Sequence, residues 1–480
     1  MIGRWLTARF VLALLATYCV LTGSASAEVV AIVCPPELRR CFDDWTRHRA
    51  ADGRRFVFIN SDDCERRLRQ LASEGDVTLL LVGERSAAAV PPRSIPARVI
   101  HRYGPETTIA SDRRYAELSN ATRVGRLPFD DESALRHYLS RVIERDLANS
   151  SWGDTRLQIA AGVGGFSPFI DAAIERAAKS VVQRLASPAS DISLTRYGNH
   201  LGTATSTPTS SRGGVWVWMG HGLRSRLPGV PLGRVVEVSR GADLAVLLAC
   251  YAGDFTERGH CVAEQLLSSK DGPLAVIAST RVSMPYGNAR LGAELLALHA
   301  DAPGGTPIGE LFVAAQGAAL EEATTPALTG LDPLARLVGP TTHSLRDERL
   351  DHAAMYHLLG DPLLPAKRYD HWDIEFPSQL TKEEDLTLRG LAPTSGRLHV
   401  EVSRPGRSTA VDRVDEVRID AGDHFAIHLA PDDAWTRGTR VVRVGLESEQ
   451  GLLLAAAKVK RVRSSEVPRI ARETSRSEAR

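Results

Sequence analysis

Short, strongly apolar runs recur along the first three quarters of the chain and alternate with amphipathic stretches. Runs such as Val29–Val33 and Val77–Val82 are bounded by glycine, proline or charged residues, which is typical of strands buried on both faces of a parallel sheet. Amphipathic segments such as 131–147 predict helices that cover the sheet. The pattern therefore predicts an α/β fold, a doubly wound sheet in two subdomains at 28–150 and 151–370.

The pattern changes from about His371 onward. Short alternating runs, separated by Gly, Pro and Asp turns, predict a β-sandwich of immunoglobulin-like size over 371–463. The last stretch, 464–480, is polar and mixed in charge, and we expect it to be disordered.

The N-terminus predicts export. Residues 1–27 combine arginines, an apolar core and a small-residue end, Ser24-Ala25-Ser26-Ala27, which is the pattern of a secretory signal peptide. The destination is the periplasm, the cell surface or the extracellular space. The apolar core is too short to span a bilayer comfortably, so we expect no stable membrane anchor.

Charge excludes some classes of partner. The formal net charge is +1 with 24% charged residues, so nothing indicates binding to nucleic acid or to an anionic surface.

Two apolar blocks each deliver a reactive side chain at their carboxyl end. Val215 to Gly222 ends in His221-Gly222, and Leu244 to Cys250 ends in the cysteine. Open α/β sheets place their ligand sites beyond the carboxyl ends of the strands. A cysteine hydrolase needs an imidazole beside its thiol, and a glycine there allows close approach of a backbone N–H to a developing oxyanion.

Each residue also has an ordinary structural interpretation. A His-Gly after a strand is usually a turn, and a cysteine at the end of an apolar run is usually an inert buried side chain. Their occurrence on successive strands favours the catalytic interpretation. The alternative is a catalytically silent secreted protein that uses the same scaffold for binding or adhesion.

The number of cysteines supports one free thiol. Of six cysteines, Cys19 leaves with the signal peptide, and an odd number in an exported chain leaves at least one unpaired. Cys250 is our candidate for the free thiol. Cys34, Cys41 and Cys64 lie close enough in sequence for one disulfide, with the pairing left open.

Other chemistries lack their motifs. The chain has no His-Glu-x-x-His or Cys-x-x-Cys, so we expect no metal in the site. It has no Gly-x-Ser-x-Gly, and the glycine-rich turn at 162–168 fits neither the dinucleotide fingerprint nor the P-loop.

Several motifs together resemble the gingipain-like cysteine peptidases, relatives of caspases, legumains and clostripains. Beyond the two blocks above, the matching elements are Val124-Gly125-Arg126-Leu127-Pro128, Gly253-Asp254-Phe255, Cys261-Val262-Ala263-Glu264, Ile277-Ala278-Ser279-Thr280 and Leu358-Leu359-Gly360-Asp361-Pro362. The resemblance covers roughly residues 100–370.

The resemblance implies a caspase-like sheet and an exported endopeptidase that acts on proteins or peptides. It assigns His221 as general acid/base, Cys250 as nucleophile, and the N–H groups of Gly222 and Cys250 as the oxyanion hole. The chemistry requires no cofactor, and structural calcium follows from the resemblance only.

The substrate pocket is where the chain departs from the family pattern. Arginine-specific gingipains have a Trp after the Ile-Ala-Ser-Thr strand, whereas this chain continues Arg281-Val282-Ser283-Met284-Pro285-Tyr286. The pocket residues carried over are Asp171, as an acidic floor, Ser279, Met284 and Tyr286.

Overall fold

The computed structural model describes residues 28–73, 75–83, 93–96, 107–162, 190–196, 213–322, 329, 331–338, 344–404, 407–430 and 435–462. The predicted signal peptide, the predicted disordered tail, a helix predicted over 169–185 and the pocket candidate Asp171 lie outside these residues.

The α/β part of the chain contains twelve described strands. Most strands of its central sheet are short runs of β-branched and leucine residues that are buried on both faces, as the apolar pattern predicts. The strands are β1 Val29–Val33, β2 Arg55–Ile59, β3 Val77–Val82, β4 Arg93–Pro96, β5 Thr108–Ser111, β6 Arg123–Leu127, β7 Arg156–Ala161, β8 Asp191–Arg196, β9 Val215–Met219, β10 Leu244–Leu248, β11 Ala275–Ser279 and β12 Tyr356–Gly360.

Helices pack on both faces of this sheet. Alternate residues of β1 and β3 enter two separate hydrophobic cores, one on each face. The predicted helix over 131–147 is confirmed, and the Asp131 carboxylate caps it by accepting the N–H of Ala134 at 2.7 Å. The helices are α1 Asp43–Ala50, α2 Cys64–Leu71, α3 Arg113–Ser119, α4 Glu132–Leu147, α5 Leu232–Val238, α6 Val262–Ser268, α7 Pro285–Asp301, α8 Ile308–Leu320, α9 Leu331–Val338 and α10 Leu345–Met355, with 3₁₀ turns at Pro36–Phe42, Ser61–Asp63 and Trp152–Thr155.

Ten strands form one continuous sheet in the order β2-β1-β3-β6-β12-β11-β10-β9-β7-β8. The described pairings are parallel except that between β11 and β12, which is antiparallel. Each half of the sheet is therefore parallel within itself, and the halves run in opposite directions. The two predicted subdomains both contribute strands, since β12 comes from the second and pairs with β6 of the first. The chain thus has a mixed α/β fold with a large parallel sheet.

A close backbone contact supports the junction at β12. A Cβ on Gly125 of β6 would lie 2.5 Å from the carbonyl oxygen of Gly360 in β12, so a larger residue would separate the strands. This contact joins two motifs that are more than 200 residues apart in sequence.

Asp361, directly after β12, links the end of that strand to helices α1 and α4. Its fully buried carboxylate accepts from Trp45 Nε1 at 2.9 Å and from Arg49 Nη2 at 2.8 Å, both on α1. Its backbone N–H donates to the Tyr138 hydroxyl at 2.7 Å. The acidic residue of the Leu-Gly-Asp-Pro motif is thus a structural anchor.

Replacing Asp361 by alanine should destabilise the protein strongly. The change leaves the buried Arg49 cation without one of its carboxylates and a buried indole N–H without an acceptor, which costs about 3–5 kcal/mol. Denaturant unfolding followed by tryptophan fluorescence measures the loss. Asp373→Ala, at a side chain with 102% relative exposure, is the matched control and should change stability by less than about 0.5 kcal/mol. Equal stability of the two variants would contradict the anchor role.

The last part of the chain is a β unit of two sheets. A six-stranded sheet contains β13, β15, β17, β18, β20 and β21, and a three-stranded sheet contains β14, β16 and β19. Both sheets share one hydrophobic core around Trp372, Leu388, Val400 and Val444. The strands are β13 Asp370–His371, β14 Ile374–Glu375, β15 Gln379–Leu380, β16 Leu386–Leu391, β17 Gly396–Arg404, β18 Arg407–Ile419, β19 His424–Leu429, β20 Gly438–Ser448 and β21 Gly451–Arg461.

Trp152 attaches this β unit to the α/β sheet. Its indole N–H donates to Glu401 Oε1 at 2.8 Å, and the Arg443 guanidinium lies 5.5 Å from the ring centroid. A Cβ on Gly445 would overlap the indole ring. The glycine therefore makes room for the tryptophan between the two units.

Among the described helices, none combines the length and the apolar character needed to cross a lipid bilayer.

Candidate active site

His221 and Cys250 follow neighbouring parallel strands. In the register of β9 and β10, Met219 pairs with Leu248, and each candidate lies two residues beyond its member of that pair. Because parallel strands end at the same edge, both residues lie at the carboxyl edge of the sheet, next to each other. His221 is exposed and Cys250 is half-buried, so the edge is open to solvent.

Gly222 brings the two strand ends into direct backbone contact. A Cβ on this residue would lie 2.5 Å from the carbonyl oxygen of Cys250 and 3.2 Å from its backbone nitrogen. Such a distance leaves no room for any side chain. The absence of a Cβ at this position is therefore a requirement of the site geometry.

The chain turns sharply after Cys250. Tyr251 has φ +55°, a left-handed conformation that is uncommon for a residue other than glycine. Its N–H donates to the carbonyl of Arg281 at 3.0 Å, and its own carbonyl accepts from Asp254 N–H at 3.1 Å. These bonds hold a strained residue directly beside the candidate nucleophile, as is common at functional sites.

Ser283 contacts the sulfur of Cys250, a contact that the sequence did not indicate. The Ser283 N–H donates to Sγ at 3.3 Å, the hydroxyl lies 3.8 Å from Sγ, and the thiol donates to the Ser283 carbonyl at 3.4 Å. The only available sequence indication was position, because Ser283 follows β11 at the same carboxyl edge.

The five described cysteines are free thiols with different environments. Cys250 is half-buried, and Cys34, Cys41, Cys64 and Cys261 are buried. The disulfide suggested for the first three is therefore not formed in this structure. Burial raises the pKa of the Cys34 thiol to about 12 and raises that of Cys261 well above its ordinary value. These two thiols stay protonated and unreactive. Among the five described cysteines, Cys250 alone is not buried.

Cys261 has a structural role at the head of α6. Its backbone N–H donates to Glu264 Oε2 at 2.5 Å, and its side chain accepts from the helix in return. This reciprocal arrangement is a capping box.

Two further motifs, the one that contains Arg126 and the one that contains Phe255, contact each other. The Arg126 guanidinium lies 4.7 Å from the ring centroid of Phe255, which belongs to the Gly-Asp-Phe segment. The same side chain forms a buried two-bond ion pair with Asp112, at 2.8 and 2.6 Å. Although burial alone would raise the pKa of the Asp112 carboxyl, Arg126 holds it well below its usual range. These contacts support the loop that carries Cys250.

The predicted pocket residues have different surroundings. The Ser279 side chain is fully buried, and its hydroxyl donates to the Arg281 carbonyl at 2.9 Å. Met284 is partly exposed, and its N–H donates to His352 Nε2 at 3.0 Å. The Tyr286 hydroxyl donates to Asp332 Oδ1 at 2.8 Å. The pocket as a whole stays a prediction.

Within the part of the chain that the structure describes, no group of three or more His, Cys, Asp or Glu side chains is arranged to hold a metal ion.

The fold and the site define a class of α/β proteins that carry a cysteine at the carboxyl edge of a parallel sheet. Comparison with known proteins agrees with this class. The model of peptidase family C25 matches residues 24–367. A solved chain from the complex of Porphyromonas gingivalis RgpB pro- and mature domains has a TM-score of 0.52 and 15% identity, over 90% of this chain and all of that one. The Arg-specific cysteine proteinase gingipain R has a TM-score of 0.51 and 15% identity, over 92% of this chain and 99% of that one. No curated protein sequence matches the chain.

This chain belongs to peptidase family C25, the gingipain family, and is a cysteine-type peptidase. The resemblance inferred from its motifs is confirmed.

Proposed function

We propose that this protein is an exported cysteine endopeptidase with Cys250 as nucleophile and His221 as general acid/base. The observation that carries the proposal is the backbone contact between Gly222 and Cys250, which joins the two strand ends that bear these side chains. The exposure of the Cys250 thiol, compared with four buried thiols, supports the same assignment.

The chemistry proceeds in two steps. The Cys250 thiolate attacks the peptide carbonyl carbon, and the carbonyl electrons move onto oxygen. As the C–N bond breaks, His221 gives its proton to the leaving amine and a thioester remains. His221 then accepts a proton from water, the resulting hydroxide attacks the thioester, and the thiolate leaves.

Gly222 and Cys250 are suited to hold the oxyanion. Among the described residues, neither backbone N–H donates to another backbone carbonyl, whereas Ala249 and Tyr251 on either side of Cys250 both do. N–H groups without a backbone partner, beside the proposed nucleophile, are the donors that an oxyanion hole needs.

The finer features of the proposal rest on the sequence pattern, on the β unit and on a solved relative. The signal-peptide pattern over 1–27 supports export. Two β sheets around one core support an immunoglobulin-like sandwich over 371–463. The solved relative is described as Arg-specific, but the missing Trp after β11 leaves the preferred P1 residue of this chain to experiment.

Labelling with peptidyl acyloxymethyl ketones tests the dyad. Probes with Arg, Lys, Asn or Asp at P1, followed by mass spectrometry, should modify Cys250 and no other cysteine. His221→Ala should slow labelling by about 10²–10⁴-fold, because the imidazole no longer helps to generate the thiolate. His260→Ala, at an exposed histidine near α6, is the matched control and should label normally. Labelling that is independent of His221 would contradict its role as general acid/base. Labelling at another cysteine would contradict the role of Cys250 as nucleophile.

A further inference from the structure

Ser283 offers two donors to the sulfur of Cys250. The backbone N–H lies 3.3 Å from Sγ, and the hydroxyl oxygen lies 3.8 Å from it. The serine is 5% exposed, so water does not readily compete for its hydroxyl. Hydrogen bonds from these two donors favour the thiolate, whereas the single bond from the thiol to the Ser283 carbonyl, at 3.4 Å, favours the neutral form.

The Ser283 hydroxyl is itself part of a longer chain of hydrogen bonds. Asn288 Nδ2, in the first turn of α7, donates to Ser283 Oγ at 3.0 Å. The Tyr356 hydroxyl, at the start of β12, donates to Asn288 Oδ1 at 2.6 Å. The chain therefore runs from Tyr356, both directly and through Asn288, to Ser283 and on to the sulfur.

The direction of this chain follows from its first member. Burial raises the pKa of Tyr356 far above its ordinary value, so the phenol keeps its proton and acts as a donor toward Asn288. With Oδ1 occupied by that proton, the amide NH₂ group faces Ser283. Because the Ser283 oxygen then accepts a hydrogen bond, its own proton is available to the sulfur.

We propose that Ser283, Asn288 and Tyr356 form a hydrogen-bond relay that directs the Ser283 hydroxyl proton at Cys250 Sγ and stabilises the thiolate. Ser283 touches the reacting atom, and Asn288 and Tyr356 act through it as positioning residues. No bond is broken within the relay. The inference rests on the proposed role of Cys250 as nucleophile.

The pH dependence of Cys250 alkylation by iodoacetamide tests the relay. Ser283→Ala should shift the inflection of the rate to higher pH and slow alkylation near neutral pH about three- to tenfold, while the plateau at high pH stays unchanged. Ser283→Thr keeps the hydroxyl and should restore the wild-type inflection. Ser239→Ala removes another buried serine hydroxyl, which bonds to the Val236 carbonyl at 3.3 Å, and should leave the profile unchanged.

A double-mutant cycle separates a relay from a structural role. Tyr356→Phe removes only the hydroxyl that holds the Asn288 amide with its NH₂ group toward Ser283. The amide can then turn over and present its oxygen, which accepts the Ser283 proton in place of the sulfur. The single variant should shift the inflection in the same direction as Ser283→Ala. In the Ser283→Ala background it should add no further shift, because there is no proton left to redirect. Additive shifts, or a slower rate at all pH values with an unmoved inflection, would overturn the relay.

Failure of the relay is distinguishable from failure of the proposed function. If Cys250 is required for peptide hydrolysis and Ser283→Ala has the wild-type alkylation profile, only the relay is wrong. If peptide hydrolysis continues without Cys250, the proposed function is wrong whatever the alkylation profile shows.

Discussion

Replacing Cys250 by serine should reduce peptide hydrolysis by about 10⁴-fold or more, since removal of the nucleophile of a coupled catalytic unit costs several orders of magnitude in rate. A serine hydroxyl is a far weaker nucleophile than a thiolate. The fold should persist, because the half-buried sulfur contributes little to the hydrophobic core. Hydrolysis of a peptide-library substrate and the thermal midpoint measure the two effects.

Cys261→Ser provides the matched control for this loss. The substitution is chemically identical, and a serine keeps the capping interaction at the head of α6 that Cys261 makes now. We expect activity within about threefold of the wild type, because Cys261 is fully buried and its thiol stays protonated. If activity survived in the Cys250 variant and disappeared in the Cys261 variant, Cys261 and not Cys250 would be the nucleophile.

Replacing Gly222 by alanine should reduce activity by about 10²–10³-fold, the cost typical of disturbing an oxyanion donor. The added methyl group would lie 2.5 Å from the Cys250 carbonyl oxygen and 2.8 Å from the Ala249 Cβ. Both neighbours are fixed in position, one by the backbone and one by the fully buried Ala249. The strand ends must therefore separate, which moves His221 and the Gly222 N–H away from the sulfur. In steady-state measurements kcat should fall by a larger factor than KM rises, because the lost contact stabilises the transition state.

Gly233→Ala is the control, because it adds the same methyl group at a site away from the two strand ends. A Cβ on this helical glycine of α5 meets nothing within 4 Å. The substitution should leave activity unchanged and stabilise the protein by about 0.5–1 kcal/mol, because alanine favours the helix. Full activity in the Gly222 variant would show that the two strand ends tolerate separation and that the N–H of residue 222 is not needed.

Strand positions were predictable from the sequence because burial on both faces demands a continuous apolar run. Val215–Met219 and Leu244–Leu248 each lie within a run that was predicted, and each ends two residues before a reactive side chain. Since the reactive residues come after such runs, His221 and Cys250 could be singled out together. Their equal distance from the paired residues Met219 and Leu248 depends on strand register, which the order of residues does not reveal.

Tyr356 escaped prediction for a specific reason. Tyr356 is the first residue of β12, and a parallel strand would place its first residue at the opposite edge of the sheet from Cys250. Because β12 runs antiparallel to β11, Tyr356 pairs with Ser279 at the carboxyl edge instead. An apolar strand pattern carries no information on direction, so nothing near residue 356 indicated a link to residue 250.

The sequence by itself determined the α/β character predicted over 28–370, the change to β structure after it, and the pair of residues most suited to cysteine peptidase chemistry. These features follow from local patterns of apolar and polar residues and from motifs a few residues long. Only the tertiary structure decided which residues surround the sulfur, that the glycine after His221 has no room for a side chain, and that Asp361 is an anchor rather than a site residue. Those features depend on the direction, register and close packing of strands that are far apart in sequence, and packing between distant segments is not encoded in any single stretch of the chain.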